Sequence, residues 1–177
     1  QFRNDIVLFH YSGHAGRHQL FMEDKPAYAQ GLVNFLQRCP NLKLVILNGC
    51  STQGQVQRLL TLDSKPVVIA TSSPVDDDTA TTFSTTFYEQ FCELDKNIQD
   101  AFQIALQQAQ LSNPDIKLTR SLGARDGAKS LWGIFPESGS RLQWQLPNQK
   151  EDDVHQDWIT NEVLINQLLQ AFAPHYP

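Results

Sequence analysis

The sequence has one methionine, three cysteines and no unbroken apolar run near the roughly 20 residues of a membrane-spanning helix. Cys39, Cys50 and Cys92 form no Cys-x-x-Cys pair and leave one thiol over after any pairing. A disulfide scaffold and a paired-cysteine zinc site are therefore not expected, and a reducing cytoplasm is the simplest setting. Basic charge is also scarce: 14 Lys and Arg stand against 19 Asp and Glu, a net charge of −5. That balance argues against a general nucleic-acid or anionic-membrane surface, so neither is expected as a partner. The chain contains no Gly-x-Ser-x-Gly elbow, no Gly-rich phosphate loop ending in Gly-Lys and no Gly-x-Gly-x-x-Gly fingerprint. Serine-type hydrolases, nucleotide hydrolases and dinucleotide enzymes lose their usual signatures.

What the sequence does have is a pair of short apolar runs, each ending in a residue suited to covalent catalysis. They are Ile6-Val-Leu-Phe-His-Tyr-Ser-Gly-His14 and Leu42-Lys-Leu-Val-Ile-Leu-Asn-Gly-Cys50. Both are near-continuous rather than alternating, as in strands covered on both faces. Between them Leu32, Phe35, Leu36 and Cys39 recur at helical spacing after Pro26, and Pro40 closes the segment, which predicts a helix over about 28–38. Strand, helix, strand makes a crossover unit with parallel strands, whose carboxyl ends share the edge where open α/β sheets bind ligands. His14 and Cys50 are then expected to face one crevice. Gly13 and Gly49, directly before them, permit the sharp turns this requires.

The α/β rhythm continues. Val56, Leu59 and Leu60 predict a helix over 54–63, and Pro66-Val-Val-Ile-Ala-Thr71 a third buried strand. Phe83, Phe87, Phe91 and Leu94 predict a helix over about 77–94, and Ile98, Ala101, Phe102, Ala105, Leu106 and Ala109 another over about 97–111. Residues 112–129 read as a long loop, and 131–135 with 141–146 as a final strand or a strand pair across 137–140. The expected organisation is one α/β domain over 1–146, an acidic linker over 147–157 and a C-terminal amphipathic helix over 158–177. The first residue is not Met and a strand follows almost at once, so earlier strands are expected in a longer protein.

Each candidate has a bland reading. Cys39 and Cys92 fall on or beside apolar helix faces and read as small buried hydrophobes. Cys50 follows Asn-Gly at a strand-to-helix turn, where amide donors and the helix dipole favour a thiolate. His10, His14 and His18 recur every fourth residue, which on a helix would suggest a metal face. Gly13, Gly16 and the β-rich run argue against that helix, and no second ligand cluster accompanies it, so no metal or other cofactor is expected. His10 reads as packed within the strand and His18 as loop surface. Asp77 and Asp78 suit a helix start, whose free amides and dipole favour carboxylates. Asp76 shares the helix-start reading, but in a loop leaving the third strand at the Cys50 edge it is also placed to meet a basic substrate side chain.

As a set, His-Tyr-Ser-Gly-His14, Val-Ile-Leu-Asn-Gly-Cys50-Ser-Thr and Val-Ile-Ala-Thr-Ser-Ser-Pro-Val-Asp76-Asp77, followed by Phe-Tyr-Glu-Gln-Phe, resemble the CHAT domain of caspase-like and separase-like cysteine peptidases. The resemblance covers about residues 5–146. It implies a caspase-like three-layer sandwich with a mostly parallel central sheet, a catalytic dyad of His14 and Cys50, and cleavage of a protein substrate. It also implies an oxyanion hole from the amides of Ala15 and Cys50, and a neighbouring sensor or repeat domain as activating partner in a bacterial defence or cell-death system. In separases an acidic residue in the loop matching 74–78 receives a basic side chain, and Asp76 is the matching position.

The chain departs from the pattern in places. Ala15 follows His14 where the family usually has Gly, the Gln-Ala-Cys of caspases is absent, and His14 and Cys50 are only 36 residues apart, against about 50 in caspases. Caspase aspartate specificity is therefore not carried over. Two other functions fit the same residues: a caspase-like adaptor that binds without cutting, and a transferase or amidohydrolase acting on a small molecule through Cys50.

Overall fold

A computed structural model describes residues 3–16, 19–21, 26–50, 52–93, 95–113 and 131–147. The elements in chain order are β1 (Leu8–Gly13), β2 (Ala15–Gly16), β3 (Gln19–Phe21), β4 (Pro26–Tyr28), α1 (Ala29–Leu36), β5 (Leu44–Gly49), α2 (Val56–Leu59), β6 (Val67–Thr71), α3 (Asp77–Phe91), α4 (Ile98–Ser112) and β7 (Trp132–Phe135). A 3-10 turn, Thr52–Gln55, precedes α2, and another, Ser140–Gln143, follows β7.

The main sheet has the order β1-β5-β6-β7. β1, β5 and β6 run parallel, and β7 is antiparallel to β6. Every residue of β5 and β6 is buried, because helices cover both faces. Leu44, Ile46, Val67 and Ile69 point to one side, into a core with Phe83, Phe87 and Phe91 of α3, Phe102 of α4 and Trp132. Val45, Leu47, Val68 and Ala70 point to the other, against Leu36, Cys39, Val56 and Leu59. The near-continuous apolar runs are the sequence form of this two-sided burial. The result is a three-layer α/β sandwich with a mostly parallel central sheet, as expected.

The α3 side is strongly aromatic. Phe83 stacks on Trp132 at 4.3 Å between ring centres and meets Phe102 edge-on at 5.9 Å. Such pairs add to simple area burial. Beside this apolar stripe α3 carries a polar seam. The Asn48 carboxamide donates to the Ala80 carbonyl at 2.9 Å and to Ser84 Oγ at 2.7 Å, and the Trp132 indole donates to Asn48 Oδ1 at 3.1 Å. One turn further on, the Tyr88 hydroxyl meets His10 Nδ1 at 2.8 Å.

Several local expectations are corrected. Residues 141–146 form no strand: Ser140–Gln143 is a 3-10 turn with Leu142 buried, and the Trp144 carbonyl accepts from the Ile98 amide at the start of α4. The alternation of Leu142 and Trp144 is used to cap and cover α4 rather than to pair with β7. The helix expected over 54–63 is only the Thr52–Gln55 turn followed by Val56–Leu59. The small antiparallel sheet β2-β3-β4 lies between β1 and α1, where only a helix was foreseen. Pro26 pairs with Phe21 there instead of simply leading into α1. The loop over 114–129, His18, Leu94, the linker beyond Pro147 and the C-terminal helix lie outside the described residues.

Burial pushes the His10 imidazole down to about 4. A histidine kept neutral in the fold but free to titrate when unfolded destabilises the fold as pH falls from about 6.5 toward 4, by up to about 1.4 kcal/mol per pH unit. The urea midpoint should therefore drop between pH 7.5 and 4.5. His10→Gln should flatten that dependence, and an unchanged slope would show that His10 does not carry it.

Candidate active site

The strand ends are set by one tight passage of backbone. The β1 and β5 ladder pairs Ser12 with Asn48 and Gly13 with Gly49, so the next residues, His14 and Cys50, leave neighbouring parallel strands at the same level. Gly13 has φ +149, which L side chains rarely adopt. A methyl group added at Gly49 would strike the Gly13 carbonyl and come within 3.2 Å of Ala15 Cβ and 3.3 Å of Tyr11 Cε1. The chain beyond β1 thus folds directly over Gly49, and β2 begins at Ala15, paired with Leu20. The buried Tyr11 donates its hydroxyl to the His14 carbonyl, which fixes the backbone on which the exposed imidazole is carried.

Cys50 is half-buried in the turn after β5, and that turn is held by two buried threonines. The Thr52 amide donates to Thr71 Oγ1 at 3.3 Å, and the Thr71 amide donates to Thr52 Oγ1 at 3.0 Å. Each hydroxyl then donates onward to a β5 carbonyl, Thr52 to Leu47 at 2.8 Å and Thr71 to Gly49. Both amides and both hydroxyls of the pair are used, which suits a water-poor site. Asn48, two residues before Cys50, is pinned equally well by α3 and Trp132.

The remaining candidates are placed as follows. Cys39 is fully buried, with its thiol directed at the Phe35 carbonyl at 3.7 Å. Cys92 caps α3 at its C-terminus, and burial pushes its thiol up. Asp76 is the N-cap of α3: its backbone is extended and its exposed carboxylate accepts from the Thr79 amide at 2.8 Å, which holds its carboxyl below the usual carboxylate value. Asp77 and Asp78 occupy the first turn. Of the three aspartates read as helix-start acids, Asp76 is the one that caps the helix, with Asp77 and Asp78 in its first turn. A shallow groove of about 510 Å³ between α3 and α4, lined by Thr81, Thr85, Glu89, Ile104 and Gln108 among others, includes neither His14 nor Cys50. Among the described residues no three His, Cys, Asp or Glu side chains gather as metal ligands, and no helix is long and apolar enough to cross a membrane.

Asn48, Thr52, Thr71 and Tyr11 were not singled out from sequence. Their one signal was a polar side chain inside or beside an apolar run.

The sheet is mostly parallel, lies between two helical layers and sends out a histidine and a cysteine after adjacent parallel strands, and the family model that fits the chain is that of a caspase-like, protease-related domain. The family model of the CHAT domain matches residues 7–155, and the chain belongs to that family. No curated protein matches it.

Thr71→Val keeps the shape but strips the Thr52 amide of its acceptor and the Gly49 carbonyl of its donor. Denaturant titration should show a loss of about 1–3 kcal/mol. Pairing it with Thr52→Val should be clearly non-additive, whereas additive losses would show that the two hydroxyls act independently. Gly49→Ala should cost at least about 1–3 kcal/mol through overpacking.

Proposed function

We propose that the protein is a cysteine endopeptidase in which Cys50 is the nucleophile and His14 the general acid and base. The observation that supports this is the pairing of Gly13 with Gly49, which brings the two following residues out at one sheet edge. In this reading the Cys50 sulfur attacks the scissile carbonyl and gives its proton to His14, and the backbone amides of Ala15 and Cys50 receive the oxyanion. The C–N bond then breaks as His14 returns a proton to the leaving amine. Water, deprotonated by His14, attacks the thioester, releasing the carboxylate and restoring the thiol. The threonine pair and the Tyr11 bond hold the two backbones at near-fixed positions, which is where such a site gains most from preorganisation.

Kinship with the CHAT family supports a protein substrate and an adjacent sensor or repeat domain as activating partner, in a bacterial defence or cell-death setting. No metal or cofactor enters the chemistry. Asp76 is the proposed receptor for a basic side chain on the substrate, placing the cut after Arg or Lys. It is an exposed carboxylate already bonded to one amide rather than a buried one needing a counter-charge. The attraction it offers is correspondingly modest and salt-sensitive.

A proteome-wide cleavage profile of the wild type against Cys50→Ala is the direct test. Cys50→Ala and His14→Ala should each abolish cleavage with the fold intact, whereas Cys92→Ser should retain it. Binding without any Cys50-dependent cut would establish the adaptor instead.

For specificity, Asp76→Ala would also remove a helix cap worth about 1 kcal/mol. Asp76→Asn preserves the cap and removes the charge. It should keep the melting temperature while losing the preference for Arg and Lys. A preference for Met, Leu or Asp in the wild type would leave Asp76 with its capping role alone.

A further inference from the structure

The two helical layers carry opposite charge. Between Asp24 and Asp63 the sequence holds no acidic residue, and Arg38, Lys43 and Arg58 on or beside α1 and α2 are all exposed. From Asp76 to Ser112, the stretch that forms α3 and α4, Lys96 is the only base among Asp77, Asp78, Glu89, Glu93 and Asp100. A chain of net charge −5 thus presents one basic face and one acidic face, on opposite sides of the sheet.

Each face has a shape as well as a charge. Tyr28, Gly31, Phe35 and Arg38 follow one another at helical spacing along α1, and the Arg38 amide continues the turn by donating to the Phe35 carbonyl at 3.1 Å. Tyr28 is 66% exposed and Phe35 40% exposed. The strip is poorly chosen for the helix itself: Tyr28 stands at the N-cap without a side-chain cap bond, where Ser or Asp would serve better. Gly31 weakens the helix interior, although a Cβ there would meet nothing within 4 Å. Two exposed aromatics flanking open backbone form a ridge with a notch, and the fold of the chain explains none of the three. On the opposite layer lies the groove between α3 and α4, with Ile104 in its lining and Glu89 beside it. Asp78 and Glu93, further along the same helix, carry the negative charge past either end of the groove.

We propose that the α1 ridge of one copy of this chain seats in the α3 and α4 groove of a second copy. Tyr28 and Phe35 then cover the groove, the notch at Gly31 lets the acidic helix approach the α1 backbone, and Arg38 meets the carboxylates of α3. This is helix-in-groove recognition, with charge fixing the partner. A second copy is the occupant because this chain itself supplies both complements, ridge with base and groove with acid. The two patches differ, so the contact is head-to-tail and repeats from copy to copy. Neither patch includes His14 or Cys50, and the contact does not depend on cleavage.

Sedimentation velocity tests it. The mass of the wild type should rise with concentration over about 1–100 µM, and less so in high salt. Tyr28→Ser with Phe35→Ser removes the ridge, and Glu89→Arg with Gln108→Arg spoils the groove; all four positions are exposed. Each double variant alone should be monomeric with an undiminished melting temperature. Mixed in equal amounts, they should form dimers that grow no further, because one intact ridge then faces one intact groove. Gly31→Gln should raise the melting temperature by about 1–3 °C while weakening association at least about tenfold. A wild type that stays monomeric would overturn the proposal. So would a mixture that stays monomeric, or association that survives the groove variant, the result expected if ridge met ridge.

Discussion

The strand edge depends on a contact that only glycine permits. Where β1 ends, its backbone crosses so closely over Gly49 that there is no space for a Cβ. That approach holds the end of the β1 and β5 ladder in register, and the register puts His14 level with Cys50. A one-residue slip would send every β1 side chain to the opposite face. Tyr11 would leave the α1 side, and its bond to the His14 carbonyl would be lost. The chemistry proposed for this edge therefore inherits its alignment from packing several residues away.

Helix α3 serves the same alignment from the other layer. Its phenylalanines at 83, 87 and 91 fill the core, while Ala80, Ser84 and Tyr88, offset from them on the helix surface, hold Asn48 of β5 and His10 of β1. One helix thus grips both strands that end in candidate catalytic residues. The apolar stripe supplies the stability. The polar seam supplies the position, since a hydrogen bond specifies geometry in a way that packing of similar volumes does not.

Much of this was legible in the sequence, for physical reasons that differ by element. β5 and β6 are buried on both faces, so their apolar runs stood out, and the glycines at 13 and 49 marked the neighbouring His14 and Cys50 as strand-end residues. Three-residue strands such as β3 and β4 carry no period to detect. The alternation at Leu142 and Trp144 had the right period for a strand, but the segment turns onto α4 instead of pairing with β7, and only tertiary structure reveals that. Asn48 and Thr71 look like the ends of apolar runs until α3 and the Thr52 turn are seen beside them. The aspartates were recognised as helix-start acids, but which of them caps α3 turned on a single extended residue.

The sheet order has a dynamic consequence. Within the described sheet β5 is central and buried throughout, whereas β1 lies at an edge and is mostly half-exposed. Opening fluctuations concentrate where few buried contacts resist them. Cys50 therefore follows a strand buried throughout, and His14 follows one at the rim of the described sheet. Tyr11 holds the backbone at that rim, so whatever docks along the open side of β1 would meet the exposed imidazole before it met the sulfur.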